Sequence, residues 1–209
     1  MQLNPEELSN RDRYKLMIGA IVPRPIAWVS TIDAEGRPNL APFSFFTAVC
    51  SNPMTLLFSP GWSGLRGRMK DTLYNIRAVP EFVINITNEA TAKAMNLTAT
   101  EFEAGIDEFA WAGVTPAPSQ TISVPRVAEA PVAFECKLQQ IVVINEGPGG
   151  GAAVFGEVQS VFVRDDLYEN GRIPTEKLQP IGRLAGPSYA HINDFFEMHR
   201  VPPPPKDEG

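Results

Sequence analysis

The sequence predicts a mostly β domain with a few helices, and three observations support this fold class. Twenty prolines and sixteen glycines interrupt the 209 residues at short intervals. The runs between them are short and rich in Val, Ile, Phe and Thr, which favour strands over helices. The chain is 44% apolar, enough at this length to bury one sizeable core. We therefore expect a single domain over residues 1–201 and an extended proline-rich tail over residues 202–209.

The composition argues against several classes of function. Eighteen basic and twenty-four acidic residues give a net charge of −6, which is unsuited to coating nucleic acid through its phosphates. The apolar run at residues 16–22 stops at Pro23-Arg24 and is too short to span a membrane. Cys50 and Cys136 are far apart in the sequence, so we expect two buried, reduced thiols rather than a disulfide or a metal site. These features predict a cytoplasmic protein that binds neither nucleic acid nor membranes.

Three strands are predicted in the first third of the chain. Residues 26–32 form the first strand, and residues 33–36 form the turn after it. Residues 39–49 form the second strand. Because proline cannot donate to a sheet ladder, Pro42 places this strand at a sheet edge or gives it a bulge. Residues 54–59 form the third strand.

A helix is predicted after these strands. Leu73, Ile76 and Val79 recur at helical spacing, which predicts a helix over residues 70–79 with Asp71 as its N-terminal cap. The proline that follows Val79 cannot continue the helix, so it ends there.

The middle of the chain is predicted to contain shorter elements. Residues 82–86 form a strand, and residues 89–97 form a short helix. Thr98-x-x-Glu101 has the spacing of a capping box, which predicts one more helical turn. Residues 116–131 are rich in proline and lack periodicity, so we expect a connecting loop.

A long hairpin is predicted from two β-type runs, residues 132–145 and 153–164, on either side of the glycine-rich segment 146–151. The same glycines resemble a dinucleotide-binding fingerprint, Gly147-x-Gly149-x-x-Ala152. That fingerprint requires a helix to begin there, whereas the residues that follow favour a strand. We therefore interpret the glycines as a hairpin loop.

Side chains that usually perform catalysis are sparse. The two histidines, His191 and His199, lie late in the chain, no Gly-x-Ser-x-Gly segment precedes them, and no carboxylates stand out as a pair. Two histidines without a cysteine pair also make a zinc or iron site unexpected. We expect no metal and no catalytic side chain, so an enzyme with this sequence would need a cofactor to carry its reaction.

Residues 23–59 contain groups that suit a flat, phosphorylated cofactor such as a flavin. Aromatic side chains can enclose its rings, while small hydroxyls and free backbone amides can bind its polar edge and ribityl chain. Strand alternation places Trp28 and Ser30 on one face of the first strand, and Ser44 and Phe46 on one face of the second. An ordinary apolar core with scattered serines explains the same pattern, so the alternation alone leaves both interpretations open.

A basic segment precedes the predicted helix at residue 70. Arg66, Arg68 and Lys70 lie before or at a helix N-terminus, where the cations and the helix dipole would attract a phosphate. The alternative is a solvated basic turn in which Asp71 and Thr72 serve only as helix caps.

Taken together, these segments resemble the flavin reductase-like family of FMN-binding split barrels, which includes reductase components of two-component monooxygenases and flavoredoxins. The resemblance extends over about residues 14–200 and includes the order and spacing of the motifs as well as their residue types. The matching segments are Pro23-Arg24-Pro25-Ile26-Ala27-x-Val29-Ser30-Thr31, Gly36-x-Pro38-Asn39-x-Ala41-Pro42-x-Ser44-Phe45-Phe46, Phe58-Ser59, Lys70-Asp71-Thr72-x-x-Asn75-Ile76, Glu81-Phe82-Val83-Ile84-Asn85, and Arg183-Leu184-Ala185-Gly186 through Tyr189.

The resemblance implies a Greek-key split barrel that forms a homodimer and holds FMN near the subunit interface. It also implies that Arg24 assists at the phosphate, and that residues 189–196 of a partner subunit cover the site. The implied FMN-binding residues are Trp28, Ser30 and Thr31 for the flavin and its ribityl chain, Asn39, Ala41, Pro42, Phe43, Ser44, Phe45, Phe46 and Thr47 for backbone and side-chain contacts, and Ser59, Lys70 and Thr72 for the phosphate, with Asp71 capping the helix.

The activity that the resemblance implies is NAD(P)H:flavin oxidoreduction, in which hydride passes from a nicotinamide to the flavin. Reduced flavin would then serve a partner such as a monooxygenase. No nicotinamide-binding motif is visible in the sequence, so the hydride donor rests on the resemblance alone. Two other functions remain open: a protein that retains FMN as an electron carrier without NAD(P)H turnover, and a barrel that has lost flavin and serves as a binding module.

Overall fold

The computed structural model describes residues 1–102 and 105–202, and strands dominate this part of the chain. The helices are α1 (Asn10–Ala20), α2 (Asp71–Ala78), α3 (Ala92–Leu97), α4 (Glu108–Ala112) and α5 (Thr175–Leu178). The strands are β1 (Ala27–Ile32), β2 (Pro38–Phe43), β3 (Phe46–Ser51), β4 (Met54–Phe58), β5 (Trp62–Ser63), β6 (Arg68–Met69), β7 (Glu81–Ile86), β8 (Pro116–Ala117), β9 (Arg126–Val127), β10 (Val132–Asn145), β11 (Gly151–Val163), β12 (Ile181–Arg183) and β13 (Tyr189–His191). The mostly β prediction is confirmed. The predicted tail lies, apart from its first residue, outside the described residues.

Seven of these strands form one antiparallel sheet in the order β2-β1-β7-β10-β11-β4-β3. Its two edge strands, β2 and β3, are joined by Ser44 and Phe45 alone, so the ends of these strands lie within about 11 Å of each other. The rings of Phe43 on β2 and Phe58 on β4 are 5.1 Å apart between centroids. The sheet therefore curls until its edges meet, and side-chain packing closes it as a barrel.

The barrel has apolar packing on both faces of β1. One cluster contains Val29, Phe58 and Phe82 together with Leu73 and Ile76 from α2. The Phe58 and Phe82 rings pack edge to face at 5.4 Å, an arrangement that aromatic quadrupoles favour.

A second cluster lies under α3 and α4 on the other face of β1. It includes Trp28 and Leu40 from the sheet and Met95 and Phe109 from the two helices. Because both faces of β1 are covered, residues 27–31 are all buried, and strand alternation cannot indicate which side faces solvent.

The predicted strand over residues 39–49 is wrong as a single element. It is two strands, β2 and β3, with a bend at Ser44 and Phe45. The prediction that Pro42 lies on an edge strand is confirmed, because β2 is the first strand of the sheet. No glycine marks the bend, which explains why the sequence pattern missed it.

The helix predicted at residues 70–79 is present as α2, but its predicted cap is wrong. The N-cap is Lys70, whose side chain makes no capping bond, and Asp71 is the first helical residue. Asp71 instead accepts hydrogen bonds from the guanidinium groups of Arg66 and Arg68. The basic segment and the helix start are therefore held together by ion pairs.

The capping box predicted at Thr98 and Glu101 is also wrong. Thr98 is the C-cap of α3, and its hydroxyl donates to Met95 O and accepts from the Trp28 indole. The next helix, α4, is capped by Asp107, whose carboxylate accepts from the amides of Phe109 and Ala110. The helix predicted at residues 89–97 is confirmed in its second half, as α3.

The remaining elements follow the sequence closely. The long hairpin is confirmed as β10 and β11, so the glycines at residues 147–151 lead into a strand. The predicted loop at 116–131 contains one short antiparallel pair, β8 and β9. Cys136 is buried as expected, whereas Cys50 on edge strand β3 is exposed, so that prediction is wrong. Among the described helices, none has the length and apolar character needed to cross a bilayer.

Candidate functional site

A small cleft, of about 50 Å³, opens at the N-terminus of α2. Its walls come from β2, from the β5–β6 hairpin, from the start of α2, from the segment after α3 and from α4. Two cations, Arg66 and Lys70, and three carboxylates, Asp71, Glu101 and Glu108, line it. The small cleft is therefore a polar site in which each cation has a carboxylate within reach.

Ion pairs and hydrogen bonds across the small cleft account for most of these charges. Arg66 pairs with Asp71, and Lys70 Nζ lies 3.5 Å from Glu101 Oε1. The other carboxylate oxygen of Glu101 accepts from Ser63 Oγ at 2.9 Å and from Leu65 N at 3.2 Å. Glu101 thus joins the segment after α3 to the β5–β6 hairpin.

A network of amides and hydroxyls forms the floor of the small cleft. Asn39 Oδ1 accepts from Thr72 Oγ1 at 3.1 Å and from Thr31 Oγ1 at 3.4 Å. Thr31 in turn accepts from Asn75 Nδ2 at 3.0 Å. The Thr72 hydroxyl is buried and directed at Asn39, so it must rotate to donate to a ligand in the cleft.

Glu108 completes this network from α4. Its carboxylate accepts from Asn39 Nδ2 at 2.9 Å and from Leu40 N at 3.3 Å. Burial raises the pKa of Glu108 above its ordinary value, and these two hydrogen bonds offset only part of that effect.

The opposite balance holds at Glu101. Burial alone would raise its pKa, but hydrogen bonds from Ser63 and Leu65 and the charge of Lys70 together lower it. Glu101 therefore stays ionised at neutral pH.

A large cleft, of about 580 Å³, adjoins the small one and shares Asn39, Asp71 and Glu108 with it. Its other walls are the turn after β1, the exposed side of α2 and residues 105–107. Its carboxylates outnumber its two arginines, Arg37 and Arg68. Nearly half of its lining residues are charged, and Tyr74 is the one aromatic side chain among those that line it.

The structure brings six of the fifteen predicted FMN-binding residues together at the small cleft. They are Asn39, Ala41, Pro42, Lys70, Asp71 and Thr72. Their convergence from β2 and α2 could not be read from strand alternation, because it depends on how the helix packs against the sheet.

Four other predicted residues are buried beneath the surface, where their side chains have protein partners. Trp28 donates its indole N–H to Thr98 within the second apolar cluster, and Ser30 donates to Pro125 O at 2.6 Å. Phe43 packs inside the barrel, and Thr31 belongs to the Asn39 network. The structure therefore assigns the Trp28, Ser30 and Phe43 side chains to the core.

The remaining five predicted residues lie at the barrel corner, which we define as residues 44–47 together with Ser59. The Ser59 amide donates to Phe45 O at 2.9 Å. Phe45 and Phe46 are half-buried, and Thr47 is exposed. The corner therefore presents aromatic and hydroxyl groups at a partly open surface.

Arg24 lies behind this corner and has a structural role. Its guanidinium donates to Ile18 O at 2.9 Å, to Ile21 O at 2.8 Å and to Leu184 O at 3.1 Å, and Nε donates to Ser44 Oγ at 3.3 Å. These bonds occupy four of the five N–H groups of the guanidinium that the resemblance implies would assist at the phosphate.

Eight residues that line the small cleft are absent from the predicted FMN-binding set, and four of them, Ser63, Arg66, Glu101 and Glu108, have side chains that bond across it. Arg66 was noted only as part of a basic run. The spacing of Thr98 and Glu101 was noted but assigned to a helix cap. Ser63 and Glu108 lie in segments with no distinguishing local pattern, so only the fold could place them here.

Comparison with known proteins identifies the family. Residues 18–177 match the family model described as a flavin reductase like domain. Nitrilotriacetate monooxygenase component B from Bacillus cereus is 38% identical, with 95% of this chain and 98% of that chain covered and a TM-score of 0.90. The 2-nitrobenzoate 2-nitroreductase NbaA from Pseudomonas fluorescens is 33% identical, with both chains fully covered (100%) and a TM-score of 0.86.

A more distant likeness bears on the fold alone. A Shewanella frigidimarina protein whose structure is described with a split barrel domain is 21% identical, covers 97% of this chain and 98% of its own, and has a TM-score of 0.79. The closed antiparallel sheet is thus a split barrel, as the sequence predicts. With a family match over most of its length, this chain belongs to the flavin reductase-like family.

Proposed function

We propose that this protein is an NAD(P)H-dependent flavin reductase that binds FMN with its phosphate in the small cleft. The observation that carries the proposal is the position of Lys70 at the N-terminus of α2, with the Ser63 hydroxyl and the Leu65 amide nearby. Cations, hydroxyls and backbone amides at a helix start are the groups that bind phosphate in proteins.

The dimensions of the small cleft fit the phosphate end of the cofactor. Its volume of about 50 Å³ is far below the ~300 Å³ or more of a pocket that encloses a drug-sized ligand. The ring system must therefore extend beyond the cleft. The barrel corner offers it two aromatic side chains, Phe45 and Phe46, whereas the large cleft offers one, Tyr74, among seven charged residues.

A bound flavin supplies the hydride-accepting chemistry, which this chain's own side chains lack. The residues of the chain then need only bind and orient. Lys70 would hold the phosphate, and the corner residues Ser44 and Thr47 would offer hydroxyls to the polar edge of the ring. The proposal accounts for the absence of a recognisable acid–base pair among the described residues, because positioning supplies much of the rate enhancement in such a reaction.

The exposed corner is consistent with a homodimer that completes the site. Phe195, Phe196 and Met198 are largely exposed and lie in residues 192–202, a segment without helix or strand that we call the arm. Large apolar side chains concentrated in one exposed segment are typical of a surface that packs on another protein. We propose that the partner is a second copy of this chain, whose own barrel corner is also partly open and can receive the arm.

The electron acceptor is proposed from two of the similar solved structures described above. The likeness to component B of a nitrilotriacetate monooxygenase favours one candidate, in which this protein delivers reduced flavin to a partner enzyme. The full-length likeness to a 2-nitrobenzoate 2-nitroreductase favours a second candidate, direct reduction of a nitroaromatic compound while the flavin stays bound.

An anaerobic titration tests the proposal. The purified protein is reconstituted with FMN, and NADH or NADPH is added while the visible flavin spectrum is recorded. We expect the flavin absorbance to bleach within seconds to minutes, since hydride transfer then needs only a bound nicotinamide. A spectrum that persists with both nucleotides would favour the FMN-retaining electron carrier, and a protein that does not bind added FMN would contradict both.

A second measurement separates the two acceptors. Reduced protein is mixed with 2-nitrobenzoate, and flavin in the filtrate of a small-pore membrane is measured in parallel. If flavin passes into the filtrate and 2-nitrobenzoate does not oxidise the reduced flavin, the result supports the supply of reduced flavin to a partner. Reoxidation by 2-nitrobenzoate with flavin retained supports the nitroreductase.

A further inference from the structure

Glu101 occupies the group of donors that a phosphate in the small cleft would use. Its carboxylate accepts from the Ser63 hydroxyl and the Leu65 amide, and it lies 3.5 Å from the Lys70 ammonium. Two phosphate oxygens in the places of the two carboxylate oxygens would take the same three partners. The donor set is therefore already filled by a carboxylate of the chain itself.

The β5–β6 hairpin holds these donors in place independently of Glu101. Ser63 Oγ accepts from Arg66 N at 3.2 Å, and Gly67 N donates to Ser63 O at 3.0 Å. Gly67 adopts a φ of +61°, which glycine reaches without strain. The donors are thus preorganised by the turn, and Glu101 binds to them from a different segment.

The other cation of the small cleft offers no alternative. Arg66 is paired with Asp71, which also accepts from Arg68. Lys70 is then the cation of the small cleft that a phosphate can reach most readily, and its partner is Glu101. An incoming phosphate must displace Glu101 from Lys70 or bind beside a like charge.

We propose that Glu101 competes with the flavin phosphate for Lys70, Ser63 and Leu65, and so weakens the binding of phosphorylated flavins. This inference rests on the proposed function, because it places the FMN phosphate in the small cleft. Its consequence is a flavin that exchanges readily, as a protein supplying reduced flavin requires.

The charge effect can be separated from the packing of the side chain. Glu101→Gln keeps the size of the side chain, and its amide oxygen can still accept from Ser63 and Leu65, but the negative charge is gone. Glu101→Asp keeps the charge. The matched control is Glu169→Gln, because Glu169 forms a surface pair with Lys177 away from the small cleft.

The experiment measures dissociation constants of FMN and riboflavin by fluorescence titration of the flavin-free full-length protein at low salt. We expect Glu101→Gln to bind FMN about fivefold more tightly, the effect of removing one like charge near a partly exposed phosphate. Riboflavin, which lacks the phosphate, should bind with unchanged affinity. Glu101→Asp and Glu169→Gln should both stay within about twofold of the wild type.

Three results would overturn the inference. FMN affinity that is unchanged or lower in Glu101→Gln would show that the carboxylate supports the site rather than competing for it. Equal tightening of FMN and riboflavin would point to a physical barrier instead of competition for the phosphate donors. FMN binding that strengthens equally in Glu169→Gln would show a nonspecific effect of net charge.

A separate variant tests the underlying phosphate site. Replacing Lys70 and Thr72 together by Ala should weaken the binding of FMN by at least about tenfold, since it removes the cation and a hydroxyl from the phosphate end. The affinity for riboflavin should not change. Unchanged FMN affinity in this variant would refute the phosphate position, and with it the role of Glu101. Tenfold weakening here, with no gain in Glu101→Gln, would refute the role of Glu101 alone.

Discussion

Asn39 connects the two clefts through its side-chain amide. Its oxygen accepts from Thr72 and Thr31, and its nitrogen donates to Glu108. The orientation of the amide is fixed by these partners, because only the oxygen can accept and only the nitrogen can donate. Glu108 completes this network. Its burial opposes ionisation of the carboxyl and raises its pKa.

The raised pKa of Glu108 predicts a pH dependence of stability. A carboxyl whose pKa is higher in the folded than in the unfolded chain favours unfolding as pH rises through the interval between the two values. This effect is absent below the ordinary value of 4.5 and complete above the folded value. The free energy of unfolding of Glu108→Gln, relative to wild type, should therefore increase as pH is raised from about 4 to neutral.

Urea unfolding of both proteins across this pH range checks the expectation. The loss of one hydrogen bond in the variant adds an offset that does not depend on pH, so the slope of the difference is the informative quantity. A difference that is constant with pH would mean that Glu108 titrates alike in the folded and unfolded chains.

At the residue scale, the sequence located the lining of the small cleft better than the surroundings of the first strand. Lys70 and Thr72 line the small cleft, and a basic run before a helix is a local pattern that the sequence displays. Trp28 and Ser30 were predicted to share a face, and the structure buries both: Trp28 packs under α3 and α4, and Ser30 donates to Pro125 O. Nothing in a strand's alternation indicates which of its two faces a later helix will cover.

At the scale of elements, Arg24 joins three parts of the chain. It satisfies carbonyls at the end of α1, donates to the barrel corner at Ser44 and reaches Leu184 beyond β12. Carbonyls at a helix C-terminus lack partners within the helix, so a buried cation there satisfies them and favours the helix dipole. Burial also lowers the pKa of Arg24.

Arg24→Ala should therefore lower the free energy of unfolding by ~2–4 kcal/mol, because it leaves one buried and two partly buried carbonyls without this donor. Chemical denaturation followed by circular dichroism measures this difference. Arg11→Ala on the exposed side of α1 is the control and should change stability by less than about 0.5 kcal/mol. An equal effect of the two substitutions would contradict the structural role of Arg24.

Element boundaries were predicted where turn-forming residues mark them in the sequence. They were missed where packing between distant elements sets them. The turn after β1 and the glycine-rich hairpin loop are marked by residues that favour turns. The bend at Ser44 and Phe45 carries no such mark, and it arises because β2 and β3 lie at opposite edges of one sheet. Helix α1 went unpredicted because Ile18 is its one buried residue, so its sequence has little apolar periodicity.

At the scale of the whole molecule, the apolar arm at residues 192–202 predicts the assembly state. Phe196 and Met198 are each 83% exposed in this chain, so replacing them cannot remove much packing within one subunit. Phe196→Asp combined with Met198→Asp should therefore leave the melting temperature of the monomer unchanged while weakening the dimer by at least about tenfold.

Sedimentation equilibrium at several protein concentrations measures the dimer dissociation constant. Tyr168→Asp is the matched control, because Tyr168 is an exposed aromatic residue outside the arm. A wild-type protein that sediments as a monomer, or a double variant that dimerises normally, would exclude the arm as the contact between subunits.

The position of the long hairpin within the sheet has a consequence for how the chain is made. β10 and β11 lie between β7 and β4 in space, although they come after both in the sequence. Until residues 132–163 leave the ribosome, β7 and β4 each have an edge with unpaired backbone groups, which can pair with other chains. The nascent protein therefore cannot complete its barrel until about three-quarters of the chain has been synthesised.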